Sequence, residues 1–277
     1  MTREELAIAV ENDPYLIKRE KSSESDIALY LKEVNFHCPL CGKLLRARSQ
    51  KKKNKLFEIA HIYPNSPTLE QFETLGGLRR LGNTCEDYEN KIALCKNCHS
   101  TQDYHTTKED YLALLSKKEE LMKITALEEI ASQDDVKLML LCSPHNPVGR
   151  VWTKEELKKV GEICLKNNVV LVSDEIHFDL VRKNHEHIVI NNVDESFSKN
   201  TVICTAVSKT FNLAGLGTSN IIIADKALRE KFQTQLAADG YSCINCVSRP
   251  ATITAYTECD YWLDSMNEQV DKNIAMV

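Results

Sequence analysis

Cys95-Lys96-Asn97-Cys98-His99 is the stretch that decides the first half of the chain. It pairs with an earlier Cys38-Pro39-Leu40-Cys41, and Glu58-Ile59-Ala60-His61-Ile62 lies between the two. A C-x-x-C knuckle puts two thiolates on one tight turn. Two knuckles supply the four soft sulfur ligands that close a tetrahedral zinc site. One knuckle alone is a weak signal, but two with a histidine directly after the second are a strong one. The expected ligands of a structural zinc are therefore Cys38, Cys41, Cys95 and Cys98.

Working outward, 277 residues allow one large or two ordinary domains. With 43% hydrophobic and 27% charged residues, the chain has the composition of a globular protein able to bury a core. No apolar run approaches the roughly 20 residues of a membrane span, so no membrane partner is expected. Met1-Thr2-Arg3-Glu4-Glu5 opens without an apolar signal core, so the eleven cysteines read as reduced thiols and metal ligands in the cytosol. A net charge of -5 argues against a globally basic nucleic-acid binder and leaves room for a local patch.

One such patch is present. Lys43, Arg46, Arg48, Lys51, Lys52, Lys53 and Lys55 form a basic run without an acid. It suits phosphate contact or a solvated hairpin tip equally. Residues 3–11 and 24–33 have the pattern of short polar helices. A strand is expected over 56–62, an irregular insert over 64–86, and a helix after the second knuckle capped by Thr106 and Glu109. Tyr111, Leu114, Leu115, Leu121 and Met122 would be its core stripe.

The ordered set of both knuckles, His61, Asn90 and His99 resembles an HNH endonuclease domain with a ββα-metal fold, over roughly residues 36–123. The resemblance implies that His61 is the general base that activates water and that Asn90 braces the loop holding it. It also implies that His99 ligates a catalytic divalent metal, and that the partner is DNA or RNA. Many such domains carry an acid where this chain has Ala60; Asp103 or His105 could complete the metal shell.

After Lys123 the pattern changes to alternating strands and helices: buried strands at Val136–Leu141 and Val169–Ser173, and further strands at Thr201–Ala206 and Ser219–Ala224. Thr153 and Glu156 cap a helix whose face is Leu157, Val160 and Cys164. Such alternation argues a mainly parallel sheet, with Asn146, Asp174 and Lys209 at carboxyl ends of strands, where open α/β sheets bind ligands. Cys243-Ile244-Asn245-Cys246 is a lone knuckle and reads as packing.

Three stretches carry a second resemblance: Ser143-Pro144-His145-Asn146-Pro147-Val148-Gly149-Arg150, Ser173-Asp174-Glu175-Ile176-His177 and Ser208-Lys209-Thr210-Phe211-Asn212. From about Ala126 onward they resemble a pyridoxal-phosphate enzyme of the class I/II aminotransferase type, in the cystathionine β-lyase (cysteine-S-conjugate β-lyase) branch. The resemblance implies that Lys209 joins the cofactor through its amine and shuttles the substrate's α-proton. Asp174 would pair with the pyridinium nitrogen. Asn146 would hydrogen-bond the ring hydroxyl with His177, and Ser208 would help hold the phosphate. The family's phosphate-gripping turn, stacking aromatic and carboxylate-binding arginine have no counterpart here.

The expected whole is α/β. A small ββα-metal, HNH-like zinc domain at 1–125 precedes a partial three-layer α/β core of the pyridoxal-phosphate transferase type at 126–277. Completeness of motifs puts the nuclease first. The alternatives are a C–S β-lyase acting on a small amino-acid substrate, as a homodimer or with a partner chain completing the cofactor site, and an inactive fusion.

Overall fold

The structure, a computed structural model, describes residues 2–45, 56–104, 106–241 and 244–276. The basic residues Arg46, Arg48, Lys51, Lys52, Lys53 and Lys55, together with His105 and Cys243, lie outside the described residues. The chain divides into two compact units, Met1–Ala126 and Leu127–Val277.

In the first unit, α1 (Arg3–Glu11) and α2 (Glu24–Glu33) each begin on a capping box, Thr2 with Glu5 and Ser23 with Asp26. Each box satisfies two otherwise orphaned amide donors. β1 (Phe57–His61) pairs antiparallel with β2 (Lys91–Cys95), from Phe57 opposite Cys95 to His61 opposite Lys91. The insert expected to be irregular contains α3 (Leu69–Thr74), capped by Thr68 and Gln71. α4 (Lys96–Tyr104) starts where β2 ends, which puts Cys98 in its first turn.

α5 (Lys108–Ala131) is capped by Thr107, whose hydroxyl accepts from the Asp110 amide at 3.1 Å. The expected Thr106–Glu109 pair is one residue out of register. Thr106 donates to the Gln102 carbonyl at 2.5 Å instead.

β2 is buried along its length, and its Ile92, Ala93 and Leu94 join Ile62, Tyr63 and Leu75 in the core. The expected stripe of Tyr111, Leu114, Leu115 and Leu121 packs there too. A charged pair is buried beside it. Lys118 and Glu33 have side chains 0% exposed, with Lys118 Nζ 2.7 and 2.8 Å from the two Glu33 oxygens. The ammonium lies 3.9 Å from the centroid of Tyr88, which stacks on Tyr30.

The second unit is built on a four-stranded sheet in the order β3 (Leu138–Cys142), β4 (Val170–Asp174), β5 (Thr201–Thr205), β6 (Asn220–Ile222). The first three strands are parallel and β6 is antiparallel to β5. α6 (Lys154–Lys166), capped by the expected Thr153–Glu156 box, crosses from β3 to β4 and buries Leu157, Val160, Ile163 and Cys164. Phe197 covers Gly161 so closely that a Cβ there would meet the ring at 2.4 Å. The rest comprises α7 (Ile190–Val193), α8 (Val207–Thr210), α9 (Lys226–Ala238), α10 (Ser248–Glu258) and α11 (Asp260–Ile274).

A further expectation needs correction. The run 136–141 is not a buried strand: Leu138 is 52% and Leu140 72% exposed, and only Leu141, at 3%, is fully buried. Side chains alternate across a strand. Met139 and Leu141 face inward, with Met139 Sδ 3.7 Å from Cys164 Sγ of α6, while Leu138 and Leu140 face out. No described residue supplies the layer expected over them. Among the described residues, no helix is long and apolar enough to cross a membrane.

Candidate functional site

The carboxyl edge of the sheet brings the second unit's motifs together. Cys142, Asp174 and Cys204 occupy one rung across β3, β4 and β5. The loops that follow stay laced beyond it, with the Ser143 amide donating to the Asp174 carbonyl at 2.9 Å and the Glu175 amide to the Cys204 carbonyl at 2.8 Å. Asp174 is exposed at this edge, and its Oδ1 accepts from the Ile176 amide at 3.2 Å.

Asn146 is exposed on a turn closed by Gly149, whose φ of 71° suits a residue without Cβ. The Gly149 amide donates to the His145 carbonyl at 2.7 Å. Trp152 Nε1 ties the turn back to the Cys142 carbonyl at 2.9 Å, and the Arg150 guanidinium lies 4.6 Å from the Trp152 ring. His177 is half-buried. With Asn146 it lines a cavity of about 590 Å³, walled on one side by Leu180, Met266 and Val270.

Lys209 stands on α8 between buried neighbours. Val207 is 1%, Thr210 0% and Phe211 8% exposed, while Lys209 is exposed and Ser208 half-buried. Lys209 is thus the one exposed residue of the turn.

Two polar networks behind this edge were not expected. Glu175 is 1% exposed. It accepts from Ser173 Oγ at 2.8 Å and the Ile190 amide at 3.3 Å, and lies 2.8 Å from His187 Nε2. Thr210 Oγ1 donates to Asp179 at 2.9 Å, and burial pushes the Asp179 carboxyl up. Strand parity could have flagged the first network: residues 171, 173 and 175 alternate inward, and Asp174 points the other way.

Pyridoxal phosphate asks for a carboxylate at its ring nitrogen, donors at its hydroxyl and phosphate, and an amine at its aldehyde. Asp174, Asn146 with His177, Ser208 and Lys209 match these needs in kind. In the loop that carries Asn146, the buried Ser143 Oγ and His145 Nδ1 have no protein partner among the described residues. The residues present fit the group.

In the first unit the Sγ atoms of Cys38, Cys41, Cys95 and Cys98 lie within 4.8 Å of one another. Cys41 and Cys95 are 3.6 Å apart, close to the roughly 3.8 Å edge of a tetrahedron with zinc–sulfur bonds of about 2.3 Å. Burial opposes ionisation of Cys38, but backbone amides facing its sulfur bring the thiol down to about 7. The donor set fits zinc. His99 stands outside this group, with Nδ1 3.3 Å from Asp103 Oδ2. Among the described residues, no second cluster of metal-ligating side chains gathers around it.

His61 ends β1, and its Nε2 lies 2.8 Å from Glu86 Oε1. Glu86 also accepts from Lys91 Nζ at 2.7 Å and Asn65 Nδ2 at 2.8 Å. Burial lowers the His61 pKa and outweighs the opposing pull of Glu86. Asn90 is 0% exposed and holds both sides of Tyr63: Oδ1 accepts from its amide at 2.8 Å and Nδ2 donates to its carbonyl at 2.9 Å.

Comparison with known proteins concerns the second unit above all. Residues 88–276 match the family described as aminotransferase class I and II. Cystathionine β-lyase PatB of Bacillus subtilis is 43% identical over 148 residues, 53% of this chain and 38% of that protein. Protein MalY of Escherichia coli is 34% identical over 152 residues, 54% of this chain and 38% of that one. The crystal structure of cystalysin from Treponema denticola, which contains a pyridoxal 5'-phosphate cofactor, aligns with TM-score 0.52 at 43% identity, covering 55% of this chain and 39% of that chain. The chain thus spans less than two fifths of the length of these relatives. A family match over more than half of its residues means that this chain belongs to the class I and II aminotransferases.

Proposed function

We propose that the second unit is the cofactor-holding centre of a pyridoxal-phosphate-dependent C–S β-lyase, acting on a small amino-acid substrate, with the rest of the site contributed by another chain. The observation that carries this reading is the position of Asp174 at the carboxyl end of β4, with Asn146 and Lys209 in the segments that leave the carboxyl ends of its neighbours β3 and β5. Identity to PatB, a cystathionine β-lyase, supports the reaction class. This reading replaces the nuclease as the first choice, because the family match favours it.

Bound pyridoxal phosphate would supply an electron sink that lets the α-proton leave and the C–S bond at the β-carbon break. The Asp174 carboxylate would hold the proton on the ring nitrogen. Asn146 and His177 would hydrogen-bond the ring hydroxyl, and Ser208 would donate to the phosphate. The Lys209 amine would take the α-proton and hand it on. Borohydride reduction in the presence of cofactor, followed by peptide mass analysis, tests this. A pyridoxyl adduct is expected on Lys209 and absent in Lys209→Ala. Equal labelling of Lys209 and of exposed lysines would sink the reading.

The thiol cluster favours a second reading, for the first unit. Cys38, Cys41, Cys95 and Cys98 would hold one structural zinc, and binding energy would then also be folding energy. Metal analysis of the purified chain is expected to give one zinc, lost in Cys95→Ser. A folded wild-type chain without zinc overturns it. The β1–β2–α4 order, with His61 and Asn90 placed around it, is what remains in favour of DNA or RNA cleavage by the same unit, with His99 holding the catalytic divalent metal. Metal-dependent plasmid nicking that His61→Ala does not alter would exclude that activity.

A further inference from the structure

We propose that the Thr210–Asp179 hydrogen bond is a positioning clamp that fixes the direction of the Lys209 side chain relative to Asp174. Its purpose rests on the cofactor reading above; its geometry does not.

α8 has four residues and cannot hold its own shape, since helix nucleation is unfavourable and one turn gains few hydrogen bonds. Val207 and Phe211 pack with Ala255, and Phe211 meets the Tyr256 ring edge-on at 5.4 Å. Apolar contact of this kind is non-directional. It holds the turn down and leaves its rotation poorly fixed, and that rotation decides where a long side chain at position 209 points. A hydrogen bond is directional. Thr210, with side chain and backbone 0% exposed, spends its hydroxyl on Asp179 Oδ2 at 2.9 Å.

Asp179 is itself held. The Phe178 amide donates to the Glu175 carbonyl at 3.0 Å, and the Leu180 amide to the His177 carbonyl at 2.9 Å. Asn267 Nδ2 donates to the Asp179 carbonyl at 3.3 Å. At the base of this turn Glu175 is anchored by Ser173, Ile190 and His187. The hydrogen-bonded turn at 175–180 and the Thr210–Asp179 bond thus connect the residue after Asp174 to the residue after Lys209. A lysine that must both hold a ligand and move a proton depends on such aim, because misplacement by about 1 Å can cost about a hundredfold in rate.

Thr210→Val keeps the shape and deletes the donor, and Thr210→Ser keeps the donor. On the full chain without cofactor, amide hydrogen exchange over residues 206–212 should quicken about tenfold in Thr210→Val and stay at the wild-type rate in Thr210→Ser. The second readout is selectivity. After borohydride reduction with pyridoxal phosphate, the ratio of adduct on Lys209 to adduct on Lys226, a lysine 80% exposed, should fall about threefold or more in Thr210→Val. Thr210→Ser should restore it.

Unchanged exchange overturns the clamp. Faster exchange with an unchanged ratio overturns it as well, because the bond would then be structural only. Should Thr210→Val fail to fold, Asp179→Ala breaks the bond from its other end and is judged by the same criteria. A wild-type chain that labels Lys209 no more than Lys226 removes the cofactor reading and the clamp with it, whereas selective wild-type labelling that Thr210→Val leaves unchanged overturns the clamp alone.

Discussion

The two units treat polar side chains in opposite ways. In the first, several polar and charged side chains are buried and bonded within the unit: Lys118 with Glu33, Asn90 with Tyr63, and Glu86 with both His61 and Lys91. In the second, Asn146, Asp174 and Lys209 stand exposed at the sheet edge, and the buried polar groups lie one layer behind them. A buried polar group must be satisfied within the protein or it costs stability. An exposed one at a strand end keeps its bonding capacity for a ligand. The first unit's polar groups therefore speak mainly of stability, and the second unit's of binding.

The hardest test of that contrast is Lys118→Ala. It leaves the Glu33 carboxylate buried without its cation, and should cost about 3–5 kcal/mol, read from denaturant unfolding of the full chain. A loss under about 1 kcal/mol would mean that Glu33 is neutral or reaches water. Gly161→Ala comes next. A Cβ would meet Phe197 at 2.4 Å, so the second unit should lose about 1–3 kcal/mol by overpacking, with Phe197→Leu relieving part of it.

A pH titration sharpens the comparison further. Burial holds His61 below its ordinary 6.5, so the unfolded chain takes up a proton that the folded unit refuses. Stability of the first unit should fall as pH drops below about 6.5. Glu86 adds a lower step. Burial raises its carboxyl, but Lys91, the Glu20 amide and His61 together bring it below 4.5. Its contribution is present above the unfolded value and disappears as pH falls through the folded one. Melting curves from pH 8 to 2 should show both losses, and Glu86→Gln should remove the lower one.

The smallest effect is expected from Lys209→Ala. An exposed lysine contributes within about 0.5 kcal/mol to stability, so this variant should melt with the wild type. A large loss would erase the distinction drawn between the units.

Much of this was legible in the sequence where signals are local. The capping box at Thr153 marks a helix start because its two partners sit three residues apart, and the 24–33 pattern marks α2 without its cap. The paired knuckles place four thiols together, and the strand-end motifs place Asn146, Asp174 and Lys209. α3 escaped notice because it is six residues long and buries none of them, so it shows no apolar period. The cap of α5 slipped by one residue because Thr106-Thr107 offers two candidates and only geometry chooses. Exposure of Leu138 and Leu140 could not be read from an apolar run, which does not say which face is covered. The long-range partners, Glu33 for Lys118 and Asp179 for Thr210, are 85 and 31 residues away. No local pattern links them.

Asp174, the last residue of β4, and Glu175, the residue after it, are adjacent acids with opposite surroundings, one exposed at the edge and the other 1% exposed within the unit. On the cofactor reading, a library of every substitution scored for function would find both positions intolerant, and the score would hide two unrelated defects. Abundance measured beside function would separate them. Variants at 174 should accumulate normally and fail to work, whereas variants at 175 should fail because little folded protein remains.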